Sequence, residues 1–296
     1  MEWVYVTVAV PAKAHESGNP GWQYRRLLWF PAFAGKAGLL GSSFSDFPVM
    51  NDLAPGRVDV WLTALSGLGA DVIGAFERLL SPAERERWQR YRVEDARLQY
   101  LVGRALVRTS LSRYADVAEE AWEFGANRYG WPYVTEPASH RDLRFNLSHT
   151  DGLVACAVSR DCELGIDVES IDRRLDVFEL APSVFAPAEV ASLVETSPEK
   201  RRDLFFCYWT LKEAYIKARG RGVSLALDGF AFDLGGAAPR VRFSETCPDD
   251  AARWRFRQYV PTPRHKLALA VAAPAAPELD IRIAWVTPLP GAAAVL

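Results

Sequence analysis

Cysteine is scarce in this 296-residue chain: Cys156, Cys162, Cys207 and Cys247, with no C-x-x-C pair among them. That excludes a disulfide-stapled scaffold and a thiolate zinc finger, and it reads as free thiols in a reducing, cytoplasmic setting. An excess of charge of one sign is lacking too. With 35 Lys and Arg against 37 Asp and Glu, the formal net charge is −2. Bulk attraction to nucleic acid is therefore not expected, and any phosphate site has to be a local cluster. No apolar run reaches the ~18 residues needed to cross a bilayer. The Trp3–Val10 run is short, has no basic leader and stops at Pro11, which argues against a signal peptide. What remains is an ordinary globular composition, 49% apolar and 24% charged, in a chain long enough for one large domain or two small ones.

Residues 1–56 stand apart. They are rich in Gly and Pro, and Trp22, Trp29, Phe30 and Phe33 follow neither helical nor strand spacing. A packed extension, a flexible arm and a start at Met50, one of only two methionines, all remain open. Arg57–Leu65 then reads as a strand with Val58, Val60 and Leu62 on one face. Ser81-Pro82-Ala83-Glu84 has the makings of a capped helix start, with Pro at the first helical position and Glu84 to complete a capping box. A break at Arg92–Glu94 precedes a long helix from about Asp95 to Tyr114. Arg144–Leu147 is a short strand leading into a loop at Ser148–Gly152. The order then recurs. Leu153–Ser159 and Leu164–Glu169 read as strands, Ala186-Pro187-Ala188-Glu189 echoes Ser81–Glu84, and a helix opening at Ser197-Pro198 runs to Gly220. Later strands are expected within Val223–Leu234, Val241–Phe243, Arg253–Val260 and Lys266–Ala273. A strand, a Pro-started helix and a long helix thus occur twice, which suggests two related halves.

Two segments carry the chemistry. In Gly165-Ile166-Asp167-Val168-Glu169 the acids lie at i and i+2 of a strand, so both point the same way. Two such like charges repel and call for a counter-cation. In Trp209–Lys217, Glu213 and Lys217 lie one turn apart on a helix face. Taken alone, that pair is the commonest kind of surface salt bridge. Phe205, Phe206, Tyr208, Trp209, Leu211, Tyr215 and Ile216 make the helix apolar nearly all round, so the pair faces a cleft or a structural ion pair. If the strand and helix pack together, three carboxylates and a lysine converge, a donor set suited to Mg²⁺ and phosphate. His149 alone is a structural histidine by default. Adjacent Ser148 and His149 do not make a catalytic dyad, but they suit phosphate contact better. Basic residues also cluster on the first helix pair, Arg87 among them.

Phe145-Asn146-Leu147-Ser148-His149, Gly165–Glu169 and Trp209-x-x-Lys212-Glu213-Ala214-x-Ile216-Lys217-Ala218-x-Gly220 occur in an order and spacing that resembles the 4′-phosphopantetheinyl transferases of the surfactin-synthetase-activating (Sfp) type. The resemblance covers residues 57–273. It implies a mixed α/β (α+β) fold of two pseudo-symmetric halves, each with a small antiparallel sheet and a long helix, with the active site between them. The expected division is an extension of unknown role (1–56), an N-terminal half (57–145) and a C-terminal half with a metal site (146–296). The implied reaction moves the phosphopantetheine arm of coenzyme A to a serine of an apo acyl or peptidyl carrier protein, releasing adenosine 3′,5′-bisphosphate. By the same resemblance, Asp167, Glu169 and Glu213 are the Mg²⁺ ligands, Glu213 the base, and Lys217 the pyrophosphate clamp. Asn146, Ser148 and His149 fall on the coenzyme A side, Arg87 near its 3′-phosphate, and Trp131 in the adenine-side turn Tyr129–Pro132. Trp131 stands where the family usually has Lys or Arg, and Glu84 where some relatives have a basic residue. A monomer built as a pseudo-dimer is expected, with neither nucleic acid nor membrane as partner. A Mg²⁺-dependent phosphohydrolase would use the same acids but leaves Asn146–His149 without a role.

Overall fold

A computed structural model describes residues 6–11, 22–27, 53–54, 56–221, 225–273 and 279–290. Near the N-terminus β1 (Val6–Pro11) and β2 (Trp22–Leu27) form an antiparallel pair. The remaining expectations for residues 1–52, a start at Met50 included, lie outside the described residues.

One plan then occurs twice. In the first half β3 (Arg57–Ala64) leads through α1 (Ala70–Leu79), α2 (Pro82–Arg90) and α3 (Glu94–Leu111) to two hairpins. These are β4 (Glu123–Ala126) with β5 (Pro132–Glu136), and β6 (Leu143–Thr150) with β7 (Leu153–Arg160). In the second half β8 (Leu164–Ser170) leads through α4 (Val177–Val184), α5 (Pro187–Glu195) and α6 (Pro198–Arg219). Two hairpins follow again, β9 (Phe230–Asp233) with β10 (Arg240–Phe243), and β11 (Trp254–Thr262) with β12 (His265–Ala272). Each opening strand pairs antiparallel with the last strand of its half, so the sheets run β3-β7-β6 and β8-β12-β11. A final strand, β13 (Asp280–Trp285), joins the first sheet parallel to β3.

This topology moves the expected boundary. A break at 145/146 would cut β6 in mid-strand, whereas the change of sheet falls between β7 and β8. Residues 146–296 are not one half either, because β13 returns to the first sheet. Long-range pairing of this kind leaves no local mark in sequence. Two local readings also change. Ser148 and His149 lie on β6, which continues to Thr150. The turn is only Asp151-Gly152, with Gly152 taking φ +81°. Among the described residues of the expected Val223–Leu234 strand, 225–234, the strand is confined to Phe230–Asp233.

The layers stack as α3, first sheet, second sheet, α6. Val58, Val60 and Leu62 share one face as expected, packing between the sheets with Ala155, Ile166, Val168 and Leu269. The opposite face of the first sheet carries Trp61 and Phe145 against α3. That of the second carries Ala268 and Ala270 against Phe205, Leu211 and Tyr215 of α6. Among the described residues no helix is long and apolar enough to cross a membrane.

The echoed Pro-started helices prove to be equivalent parts. Ser81 and Glu84 form the capping box, each accepting from the other's backbone N–H. Glu84 also pairs with Arg104 and Arg108 of α3. Burial opposes its ionisation, but these two guanidiniums hold its pKa below the usual carboxylate range. In the second half Glu189 accepts from the Ala186 N–H and pairs with Lys212 of α6 at 2.8 Å, both side chains being 1% exposed. In each half, then, the glutamate that starts the short helix is the counter-ion of the long one. That accounts for an acid at position 84.

Candidate active site

The second sheet's edge strand, β8, lies beside the first sheet's edge strand, β6. Asp167 and Glu169 point away from the inter-sheet core, toward α6. Helix and strand approach so closely that a Cβ on Gly165 would stand 2.0 Å from the Ala214 carbonyl oxygen and 2.5 Å from the Ala218 nitrogen. Only glycine permits that contact. It brings Glu213 and Lys217, which flank Ala214 on one helix face, over the two acids of β8.

The resulting cleft has a volume of about 330 Å³. The first half contributes Tyr91, Gln99, Tyr100, Leu147, Ser148 and His149. The second contributes Asp167, Glu169, Arg173, Trp209, Glu213 and Lys217. Six of the expected site residues are therefore brought together: Ser148, His149, Asp167, Glu169, Glu213 and Lys217. Arg87, Trp131 and Asn146 do not line the cleft. Arg87 is exposed on α2 with its guanidinium 5.4 Å from the centre of the Tyr100 ring, just behind the cleft wall. Trp131 stays in the expected turn and packs against Gly220, the left-handed cap of α6. Asn127 secures that turn by donating to the Gly220 carbonyl at 2.8 Å and accepting from the Trp131 N–H at 3.0 Å. Asn146 is buried and bonds to β8.

The charges are distributed unevenly. Lys217 Nζ lies 2.7 Å from Asp167 Oδ1 and 2.9 Å from Ser148 Oγ. Glu169 Oε1 accepts from Arg173 at 2.9 Å and from Trp209 Nε1 at 3.2 Å. Desolvation raises the pKa of Glu169 and of Glu213 to about 7. For Glu213 the Asp167 carboxylate adds to the rise and Lys217 opposes it. For Glu169 Arg173 opposes it and Asp167 adds. Desolvation within the cleft lowers the pKa of His149, and the Lys217 ammonium lowers it further, with Asp167 opposing. Its side chain is exposed, so water offsets part of that desolvation.

The donor set suits a hard cation. Asp167 Oδ2 is buried and has no hydrogen-bond partner among the described residues, which leaves a carboxylate lone pair unused in a cleft that Glu169 and Glu213 also line. Among the described residues no group of three or more His, Cys, Asp or Glu side chains is placed to hold a metal ion by itself. Mg²⁺ does not need three protein ligands: it is held by one or two carboxylates with water and substrate phosphate completing the shell.

Several members of the site were not found from sequence. Thr150, Gln99, Arg173 and Trp209 all touch the acids or the strand beneath them. The Asn146-x-Ser148-x-Thr150 alternation could have marked the first as one polar strand face. Arg173, four residues after Glu169, lies beyond the end of β8, where strand spacing no longer applies.

The family model described as the 4′-phosphopantetheinyl transferase superfamily matches residues 163–272, and one for the N-terminal part of 4′-phosphopantetheinyl transferase matches 71–161. The two meet where the chain passes from β7 to β8. A 4′-phosphopantetheinyl transferase of Bacillus subtilis is 33% identical over 196 residues, 66% of this chain and 83% of the relative. The 4′-phosphopantetheinyl transferase Sfp of Bacillus subtilis strain 168 is 32% identical over 204 residues, 69% of this chain and 87% of its own. The 4′-phosphopantetheinyl transferase HetI of Nostoc is 32% identical, covering 65% and 78%.

Proposed function

Since this chain belongs to the 4′-phosphopantetheinyl transferase superfamily, we propose that it transfers the phosphopantetheine arm of coenzyme A to a serine of an apo acyl or peptidyl carrier protein, with Mg²⁺ at the acids of its cleft. The observation that carries this reading is the convergence of Asp167, Glu169, Glu213 and Lys217 with His149 on one cleft between the two halves. Phosphoryl transfer needs positioning and charge neutralisation more than covalent help. Mg²⁺ held by Asp167 and Glu169 would neutralise pyrophosphate oxygens and the charge that builds on the leaving group.

The chain's own residues supply the rest. Lys217 sits 2.7 Å from Asp167 and can turn its ammonium to a pyrophosphate oxygen, adding fixed positive charge where negative charge develops. His149 lines the first-half wall of the cleft and offers a ring N–H to a phosphate oxygen. Glu213 takes the serine proton. Its raised pKa makes it a stronger base than an ordinary carboxylate. The serine oxygen bonds to the phosphorus that bears the pantetheine arm, the pyrophosphate P–O bond breaks, and adenosine 3′,5′-bisphosphate departs. Four free cysteines suit work in a reducing cytoplasm. The test is to incubate the protein with coenzyme A, Mg²⁺ and a panel of apo carrier proteins and to weigh the carriers. A gain equal to the phosphopantetheine arm supports the reading and reports carrier preference. Hydrolysis of coenzyme A with no gain on any carrier points to the phosphohydrolase instead.

A further inference from the structure

The two sheets meet at β6 and β8 without a main-chain ladder between them. In its place stand three side-chain bonds. The Ile166 N–H donates to Asn146 Oδ1 at 3.0 Å, the Val168 N–H to Ser148 Oγ at 3.2 Å, and the Ser170 N–H to Thr150 Oγ1 at 3.1 Å. All three acceptors are at least 95% buried. Each acceptor meets an amide 20 residues further on, so the strands run side by side in one fixed register. Building on the transferase reading above, we propose that Asn146, Ser148 and Thr150 are a register clamp that aims Asp167 and Glu169 into the cleft, a positioning role separate from any contact with coenzyme A.

The bonding capacity of Ser148 supports this. A hydroxyl has one donor hydrogen and two acceptor lone pairs. Ser148 Oγ accepts from the Val168 N–H and from Lys217 Nζ at 2.9 Å, and donates to Asp167 Oδ1 at 3.0 Å. It is saturated. One atom thus ties the register of β8 to the orientation of Asp167. Thr150 does the same for Glu169, donating to its Oε2 at 3.4 Å, while Gln99 Nε2 holds the Thr150 carbonyl at 3.1 Å. The strand period of two explains why register has chemical consequences. A slip of one residue would turn Asp167 and Glu169 into the inter-sheet core and bring Ile166 and Val168 out.

Amide exchange and metal dependence together test the clamp. In the wild-type chain the Ile166, Val168 and Ser170 amides should be protected from deuterium exchange, although β8 is a sheet edge. Exchange at the rate of free amides would overturn the proposal without any variant. Thr150→Val should lose protection at Ser170 and raise the Mg²⁺ concentration for half-maximal transfer about 10- to 100-fold, as loss of a ligand-orienting group does, with KM for coenzyme A nearly unchanged. Thr150→Ser, which keeps the hydroxyl, should restore both. A Thr150→Val protein that keeps Ser170 protected and instead binds coenzyme A more weakly refutes the clamp. Exchange is read without any carrier protein, so failure of the transferase reading and failure of the clamp give different results.

Discussion

Gly165→Ala adds one methyl group at the closest contact in the site. The new Cβ would lie 2.0 Å from the Ala214 carbonyl oxygen, where contacts under 3.0 Å are essentially never seen. Helix α6 and strand β8 must therefore part by about 1 Å (3.0 − 2.0). Both clashing atoms, Ala214 O and Ala218 N, belong to the backbone, so no side chain can swing away. Overpacking of this kind costs about 1–3 kcal/mol of stability. The functional loss is larger, because Glu213 and Lys217 ride on α6 while Asp167 and Glu169 ride on β8. A displacement of ~1 Å between reacting groups can lower the rate about 100-fold. Urea unfolding and the rate of arm transfer to an apo carrier protein measure the two effects. Ala214→Gly in the same chain should rescue neither, since the carbonyl stays in place. Gly103→Ala is the control. Its nearest neighbour is the Leu147 side-chain end at 2.9 Å, which can yield, so that variant should stay close to wild type. A Gly165→Ala enzyme with wild-type unfolding midpoint and wild-type rate would refute the claim that this glycine sets the helix–strand distance.

Three other outcomes are expected. Glu213→Gln should abolish transfer without loss of thermal stability at pH 8, since it removes one of three crowded carboxylates; wild-type turnover would sink the assignment of Glu213. The metal-free protein should lose stability as pH rises from about 4.5 to about 7. Over that window folded Glu169 and Glu213 keep protons that the unfolded chain releases, and the slope of stability with pH is then negative. A shift of this size on one carboxylate amounts to about 3 kcal/mol, and Mg²⁺ should raise the melting temperature more at pH 8 than at pH 5.5; an equal gain at both would contradict metal binding at these acids. Lys212→Met should cost about 3–5 kcal/mol by leaving Glu189 charged and unpaired in the core, and adding Glu189→Leu should recover much of that. Calorimetry of the single and double variants decides whether the pair is structural.

Much of the fold was legible because its signals are local. Ser81-Pro82-Ala83-Glu84 specifies a capping box within four residues, and the box forms as read. Val58, Val60 and Leu62 declare a buried strand face by alternation alone. The helix that ends at Gly220 does so because glycine takes the left-handed cap at φ +57°. The failures are equally instructive. Ser148 and His149 look like loop residues because they are polar. They are strand residues because their partners, in β7 and β8, are supplied from elsewhere in the chain. Trp131 lies in the turn where it was expected, but its packing against the end of α6, 89 residues further on at Gly220, leaves no local mark.

By itself the sequence determined many of the elements, the duplication and the candidate acids and bases, since helix caps, strand alternation and the choice of acid or base are settled within a few neighbouring residues. Only the tertiary structure decided which of those groups share a cleft. Asp167 and Lys217 are 50 residues apart in sequence and 2.7 Å apart in space. That proximity comes from one glycine contact between α6 and β8 and from three side chains that hold β8 against β6. Contacts between distant segments carry no local propensity, so they become visible only when the chain is folded.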